Sequence, residues 1–222
     1  MRTQAVEDYL KVIYDLGRDG APVATSAIAA RLDVAPATVT GMVKKLAALN
    51  VVVHESYRGV ALTEAGRRIA LEVIRHHRLV EQYLYEAMGV PWDQVHEEAE
   101  KWEHVLSEEL EARMDEILGN PTTDPHGSPI PSPDLEMEER DHRPLSELAV
   151  GQRATVSEVG DEDSAMLRHF AELGLFPETH VEVLAVAPFD GPITLRVGDS
   201  EQSIGRLAAS RVFVADVREA TQ

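Results

Sequence analysis

The sequence predicts a mainly α-helical protein with a small β component: a helix-turn-helix followed by a β-hairpin, then a helical middle part, then a small β-barrel. Three observations predict it. Apolar residues recur at helical spacing through the first half of the chain, a Pro-rich stretch then breaks all periodicity, and from Pro144 the apolar runs shorten to strand length between turn residues. The expected divisions are 1–70, 71–118, a linker at 119–143, and 144–222.

The chain's 222 residues are enough for two or three small domains, each with its own core, and a 44% hydrophobic share suits globular folding. No basic region followed by an apolar stretch opens the chain, and no run reaches the roughly 18 to 20 apolar residues of a membrane span. A cytoplasmic protein with no membrane partner is expected. With no cysteine, any metal must be held by nitrogen and oxygen donors. The net charge of -18 argues against a polyanionic partner on average, but residues 31–78 carry eight Lys/Arg against four acids, a local balance of +4 that leaves -22 on the remainder.

Residues 5–16 place Val6, Tyr9, Leu10, Ile13 and Leu16 at helical spacing with Gly17 and Gly20 as a stop, and Asp8 and Lys11 on the polar side. From 25 to 49 follow a helix of small and apolar residues, a turn at LDVAP, and a second helix holding Val39, Met42, Val43 and Leu46, the helix-turn-helix plan. Pro36 suits the first turn of that second helix, because the N–H it lacks is not needed there. The exposed side presents Ala37, Thr38, Thr40, Gly41, Lys44 and Lys45, hydroxyls and ammoniums suited to phosphates and base edges in a DNA major groove. Strands at 51–55 and 60–63 with a turn at Tyr57, Arg58 and Gly59 add a wing, with Arg58 at its tip and Thr63 as the N-cap of the next helix.

That next helix, 63–88, carries Ile69, Val73, Leu79, Val80, Tyr83 and Leu84 inward and places His77 and Glu81 four apart on one face. The stretch 95–114, VHEEAEKWEHVLSEELEARM, is read as one helix with two stripes. Val95, Ala99, Trp102, Leu106 and Leu110 form the anchoring stripe, and His96, Glu100, Glu103 and His104 the polar one. Two imidazoles and two carboxylates on one edge offer the donors of a divalent cation site, although one helix seldom completes such a site. Glu97, Glu98, Glu108, Glu109 and Glu111 read as solvated surface.

In order and spacing, EDYLKVIYDL, IAARLDVAPATVTGMVKKL, YRGVALTEAGRRIA, HHRLVEQYL and VHEEAEKWEHVLSEELEARM resemble the metal-dependent repressors that include the diphtheria toxin repressor, the iron-dependent regulators and the manganese transport regulator. The resemblance covers roughly the first 118 residues and continues more weakly to the end. It implies a homodimer with a primary metal site made by Asp8, His77, Glu100, Glu103 and His104. Carboxylates at 8 and 100, in place of the iron type's Met and Cys, match the manganese type, and replacing sulfur by oxygen suits Mn²⁺. Fe²⁺ is the alternative, and Zn²⁺, Co²⁺ or Cd²⁺ are expected to substitute in vitro. Lys11 departs from the manganese transport regulator, which has an acid there. Glu81 and His96 resemble ancillary-site ligands.

Residues 119–143 hold five of the twelve prolines, among them the family's Pro-Ile-Pro at 129–131. Asp124-Pro125-His126 stands where some manganese-type members have Cys-Pro-His, which makes Asp124 and His126 ancillary candidates. The strands ATVSEV, HVEVLAV, ITLRVG, EQSIGR and VFVADV, with the helix SAMLRHFAELGL, resemble the family's SH3-like, FeoA-type domain, which lends an acid to the ancillary metal. Among Asp161, Glu162 and Asp163, Asp163 is favoured.

The resemblance therefore implies a metal-activated repressor binding a palindromic double-stranded DNA operator, with metal-uptake genes as targets. A rival enzyme reading starts from His96-Glu97, but the second His of HExxH would stand at residue 100, which is Glu. No nucleophile elbow or phosphate-binding glycine loop is present either, so no catalytic residue is assigned. A third reading, a winged-helix repressor sensing an organic ligand, has no need of Glu100, Glu103 and His104.

Overall fold

The computed structural model describes residues 3–18, 20–55 and 58–219. They form two compact units. The first takes the chain through His77, with Trp102–Glu108 and Pro131–Met137; the second takes Arg78–Lys101, Glu109–Ile130 and the chain from Glu138 onward.

In the first unit α1 (Gln4–Leu16) buries Val6, Tyr9, Leu10 and Ile13. It stops at Gly17, whose N–H meets the carbonyls of Ile13 and Tyr14 at 3.1 and 3.2 Å. The chain reverses between α2 (Thr25–Arg31) and α3 (Pro36–Ala48) through Asp33, at φ 50°, a left-handed conformation that a short polar side chain tolerates. α3 has Pro36 in its first turn and sends Val39, Val43 and Leu46 into the core that Leu10 and Ile13 of α1 also fill. The wing is the antiparallel pair β1 (Val52–Glu55) and β2 (Gly59–Leu62). Its turn residue Tyr57 lies outside the described residues. Thr63 caps α4 (Glu64–Glu86) as expected: its hydroxyl accepts the Gly66 N–H at 3.2 Å and donates to the Asn50 carbonyl at 2.8 Å.

The stretch 95–114 is not one helix. It divides into α5 (Val95–Trp102) and α6 (Glu108–Ile117). The Trp102 carbonyl receives the N–H groups of both Val105 and Leu106, closing the helix, and the Glu103 carbonyl accepts from His76 Nδ1 at 3.0 Å. A side chain from α4 thus satisfies a backbone group that a continuous helix would have used itself, and Glu103 and His104 stand in the turn beyond the helix.

In the second unit the predicted barrel strands form one antiparallel sheet. Its order is β3 (Arg143–Pro144), β8 (Val212–Arg218), β4 (Arg153–Val159), β5 (His180–Val186), β6 (Ile193–Val197) and β7 (Ser200–Ile204). Alternate residues such as Val181 and Val183, or Ile193 and Leu195, point into a core closed by Leu167 and Phe170 of α7 (Ser164–Glu172) and by Ala208 and Ala209 of α8 (Arg206–Ala209). β6 and β7 are joined by the two residues Gly198 and Asp199, with Gly198 at φ 58° as a tight hairpin requires. Two pieces had no periodic signal: the two-residue β3 and the single turn of α8. Among the described residues no helix is long and apolar enough to cross a membrane.

Candidate metal centres

Asp8 on α1 and Glu103 and His104 in the turn after α5 bring their ligand atoms within 4.8 Å of one another. His104 Nε2 lies 2.8 Å from Asp8 Oδ1 and 3.3 Å from Glu103 Oε1. The opposite ring nitrogen, Nδ1, is 2.6 Å from Glu7 Oε2. A carboxylate that accepts a hydrogen bond from Nδ1–H fixes the ring and leaves Nε2 as the nitrogen aimed into the group, the usual support of a ligating histidine.

Glu103 faces two ways. Oε1 looks toward His104 and Asp8, while Oε2 meets Lys11 Nζ at 2.7 Å and is in close contact with His77 Nδ1. Burial works against the ionised form of Glu103, but His77 and Lys11 outweigh it and hold the carboxyl below its ordinary range. Burial pushes Asp8 up, and the neighbouring Glu103 adds to the rise against His104 and Lys11. Crowded carboxylates facing an imidazole nitrogen fit a divalent cation, which would relieve the repulsion that raises Asp8.

The second group lies in the other unit and consists of Glu81, Asp124, His126 and Asp161, also within 4.8 Å. Its geometry comes from a tight loop. Asp124 Oδ1 accepts the N–H groups of His126 and Ser128 at 2.8 and 3.0 Å, and the Asp124 N–H donates to the Ser128 carbonyl at 3.0 Å. Gly127 turns the loop at φ 91°, so close to β4 that a Cβ there would stand 2.1 Å from the Ser157 carbonyl. His126 is fully buried, and its Nε2 donates to the Trp92 carbonyl at 3.0 Å, so Nδ1 is the nitrogen turned toward the acids. Among the described residues, that atom and Asp124 Oδ2 are both buried without a hydrogen-bond partner. Native interiors rarely leave such atoms unsatisfied, and a cation is what this arrangement fits.

The charges agree. Burial drives the Asp124 carboxyl well above its usual range, and Glu81 adds to the rise, partly opposed by Arg78, whose Nε is 3.7 Å away. His96 Nδ1 lies 3.1 Å from Glu81 Oε1 and 3.6 Å from Asp161 Oδ2. Burial alone would lower the pKa of His96, yet hydrogen bonds to Asp161 and Glu81 carry it up to about 10. Three carboxylates thus crowd this loop, with Arg78 and His96 set against them.

The two groups bring together Asp8, Glu103 and His104 in one unit, and Glu81, Asp124 and His126 in the other. His77 reaches Glu103, and His96 reaches Glu81. Glu100 joins neither group: its side chain is 58% exposed and lies 3.8 Å from His96 Nε2. The end of α5 at Trp102 separates Glu100, still helical, from Glu103 and His104. Asp163 is also elsewhere, as the N-cap of α7, accepting from the N–H groups of Ala165 and Met166; the acid present in the group is Asp161. An Asp directly before SAMLRHF was legible as a cap. The sequence pattern held no sign of Glu7, and it marked Lys11 only as a polar-side residue that departs from the manganese transport regulator; the two are four apart and flank Asp8 on α1.

On α3 the side chains of Ala37, Thr38, Thr40, Lys44 and Lys45 are exposed, as is Arg58 beside the wing turn. The buried Val39, Val43 and Leu46 occupy the other side of the same helix.

Residues 1–60 match the N-terminal DNA binding domain of the iron dependent repressors, 63–132 match the metal binding and dimerisation domain of the same repressors, and 143–216 match the FeoA domain. The iron-dependent repressor IdeR of Mycobacterium bovis is 40% identical over 162 residues, 73% of this chain and 63% of that relative, so the match spans less than two thirds of the relative's length. IdeR of Mycobacterium leprae is 35% identical over 189 residues, 80% of this chain and 82% of the relative. A solved manganese-dependent transcriptional repressor in complex with manganese superposes with a TM-score of 0.87 at 37% identity, covering 95% of this chain and 99% of that one.

Proposed function

Because the chain belongs to the iron-dependent repressor family, whose members are transcriptional repressors and not enzymes, we propose that it is a metal-activated repressor that binds double-stranded DNA as a homodimer and answers to Mn²⁺. The observation that carries this reading is the placement of Asp8. It stands on the polar side of α1, beside Glu103 and His104, while the apolar side of α1 packs in one core with α3. The residues that would hold the metal and those that would meet DNA are thus two faces of one packed unit.

In this reading Asp8, Glu103 and His104 hold the primary ion, with His77 against Glu103 and Glu7 fixing the His104 ring. Glu81, Asp124, His126 and Asp161 hold a second. A bound divalent ion supplies positive charge and fixed ligand directions that tie α1 to the turn at 103–104. Thr38, Thr40, Lys44, Lys45 and Arg58 contact the operator, palindromic if the dimer is two-fold. Tyr85, Met88, Leu110 and Ile117, all exposed, offer apolar surface for dimerisation. Metal favours the DNA-competent arrangement, so DNA tightens metal binding by the same factor. The targets are metal-uptake genes, and a regulator of DNA works in the cytoplasm.

Mn²⁺ is preferred because every donor in both groups is oxygen or imidazole nitrogen, and the chain has no cysteine. Fe²⁺ is the second reading, favoured by the relatives named as iron-dependent. The test is fluorescence anisotropy on the chain's own upstream DNA at fixed salt, with chelator and then with Mn²⁺, Fe²⁺ or Zn²⁺. Binding that requires metal, and is lost in Glu103→Gln, is expected. Binding indifferent to chelator would leave a DNA-binding protein that senses something else.

A further inference from the structure

The candidate centre on α1 already contains a cation. Lys11 Nζ lies 2.7 Å from Glu103 Oε2 and 3.2 Å from His77 Nδ1, and its side chain is only 16% exposed. A surface lysine would sweep through solvent; this one is held against two donor atoms of the centre. The Glu103 carboxylate to which it is tied also turns its other oxygen toward His104 Nε2, 3.3 Å away. One buried carboxylate therefore serves both the ammonium and the place where Asp8 and His104 converge.

We propose that Lys11 is the residue that sets the metal concentration at which this centre fills, acting as a fixed competing charge for Glu103. The inference rests on the reading of Asp8, Glu103 and His104 as a metal centre. A divalent ion sharing Glu103 with an ammonium a few ångströms away meets like-charge repulsion that solvent screens only in part, because both side chains are mostly buried. The ammonium also draws electron density from the carboxylate and weakens it as a donor. Both effects raise the free metal concentration needed to load the centre. Neither depends on Lys11 losing its proton; the charge alone matters. His77 Nδ1 contacts the same Glu103 oxygen and stands 3.2 Å from the ammonium, so the charge of Lys11 bears on two candidate donors at once.

The test titrates Mn²⁺ alone into the full-length chain and reads free Mn²⁺ by its electron paramagnetic resonance signal. Asp124→Asn serves as parent, so that the second group does not obscure the count. Lys11→Met keeps an unbranched side chain one atom shorter and removes the charge, and it should bind Mn²⁺ at least about tenfold more tightly with the same number of ions per chain. Lys11→Arg keeps the charge and should stay near the parent, a result that a purely structural lysine would not give. Should Lys11→Met unfold by circular dichroism, Lys11→Gln replaces it in the same comparison. An affinity unchanged or weakened in the neutral variants overturns the inference while leaving the metal centre intact. A parent that takes up no Mn²⁺ removable by Asp8→Asn would instead fail the metal reading, and the role of Lys11 with it.

Discussion

His104 shows how much at this site depends on a single neighbour. Glu7 Oε2 holds its Nδ1 at 2.6 Å, and that contact favours Nε2 as the nitrogen facing Asp8 and Glu103. Replacing Glu7 with Ala frees the ring to rotate and should weaken Mn²⁺ uptake at this centre by about 10- to 100-fold, the usual effect of losing a residue that orients a ligand. Calorimetric titration of the variant against the parent measures it. The two acids before α7 part in the same way. Asp163→Ala removes an N-cap and should cost about 1 kcal/mol of stability in a denaturant titration while Mn²⁺ uptake is kept. Asp161→Ala should weaken Mn²⁺ uptake at the second group without removing that cap. Sequence reasoning named Asp8, Glu103 and His104 because the family pattern marks those positions, and the structure brings the three together. It gave no sign of Glu7 and no contact for Lys11, because the neighbours of a candidate ligand are chosen in three dimensions, and it favoured Asp163, which caps α7, over Asp161, which stands in the group.

At the scale of elements, periodicity located the helices and strands and failed where a tertiary contact overrode it. The split of 95–114 into α5 and α6 is the main case. The apolar stripe continues through Leu106 and Leu110, but His76 takes the Glu103 carbonyl and the helix ends at Trp102. No local signal in that stretch announces a histidine from α4. The loop at 124–128 is the opposite case, since its prolines predicted irregular chain and gave no hint that it holds Asp124 and His126 rigidly. Gly127 is what permits that rigidity. Gly127→Ala would force a Cβ to within 2.1 Å of the Ser157 carbonyl at a φ of 91°, so the loop must move. A loss of about 3 kcal/mol or more is expected in urea unfolding, together with loss of Mn²⁺ uptake at the second group. On α3 the expectation differs in kind. Lys44→Ala should weaken binding to all DNA sequences alike and lower the salt slope by about 1, which anisotropy at several salt concentrations reads directly.

For the molecule as a whole, the balance of charge matters more than any one contact. If the chain meets DNA as proposed, the segment 31–78 brings a local balance of +4 within a net charge of -18, and the acids elsewhere oppose the approach. Two of the places where acids are buried and crowded are the two candidate centres, one in each unit, so on the proposed reading cations bound there would act on stability and on DNA affinity together. Ligand linkage gives the size. At 100 times its dissociation constant, an ion that binds only the folded state adds about 2.7 kcal/mol per site. Thermal unfolding in chelator and in Mn²⁺ should therefore differ by two increments if both centres fill. Asp8→Asn should remove one, Asp124→Asn the other, and the double variant should be indifferent to Mn²⁺. DNA binding separates the two roles further: the increment lost in Asp8→Asn should take metal-dependent operator binding with it, because Asp8 stands on the helix that shares a core with α3. If either single variant removed both increments, the two centres would be one cooperative switch and not two independent sites.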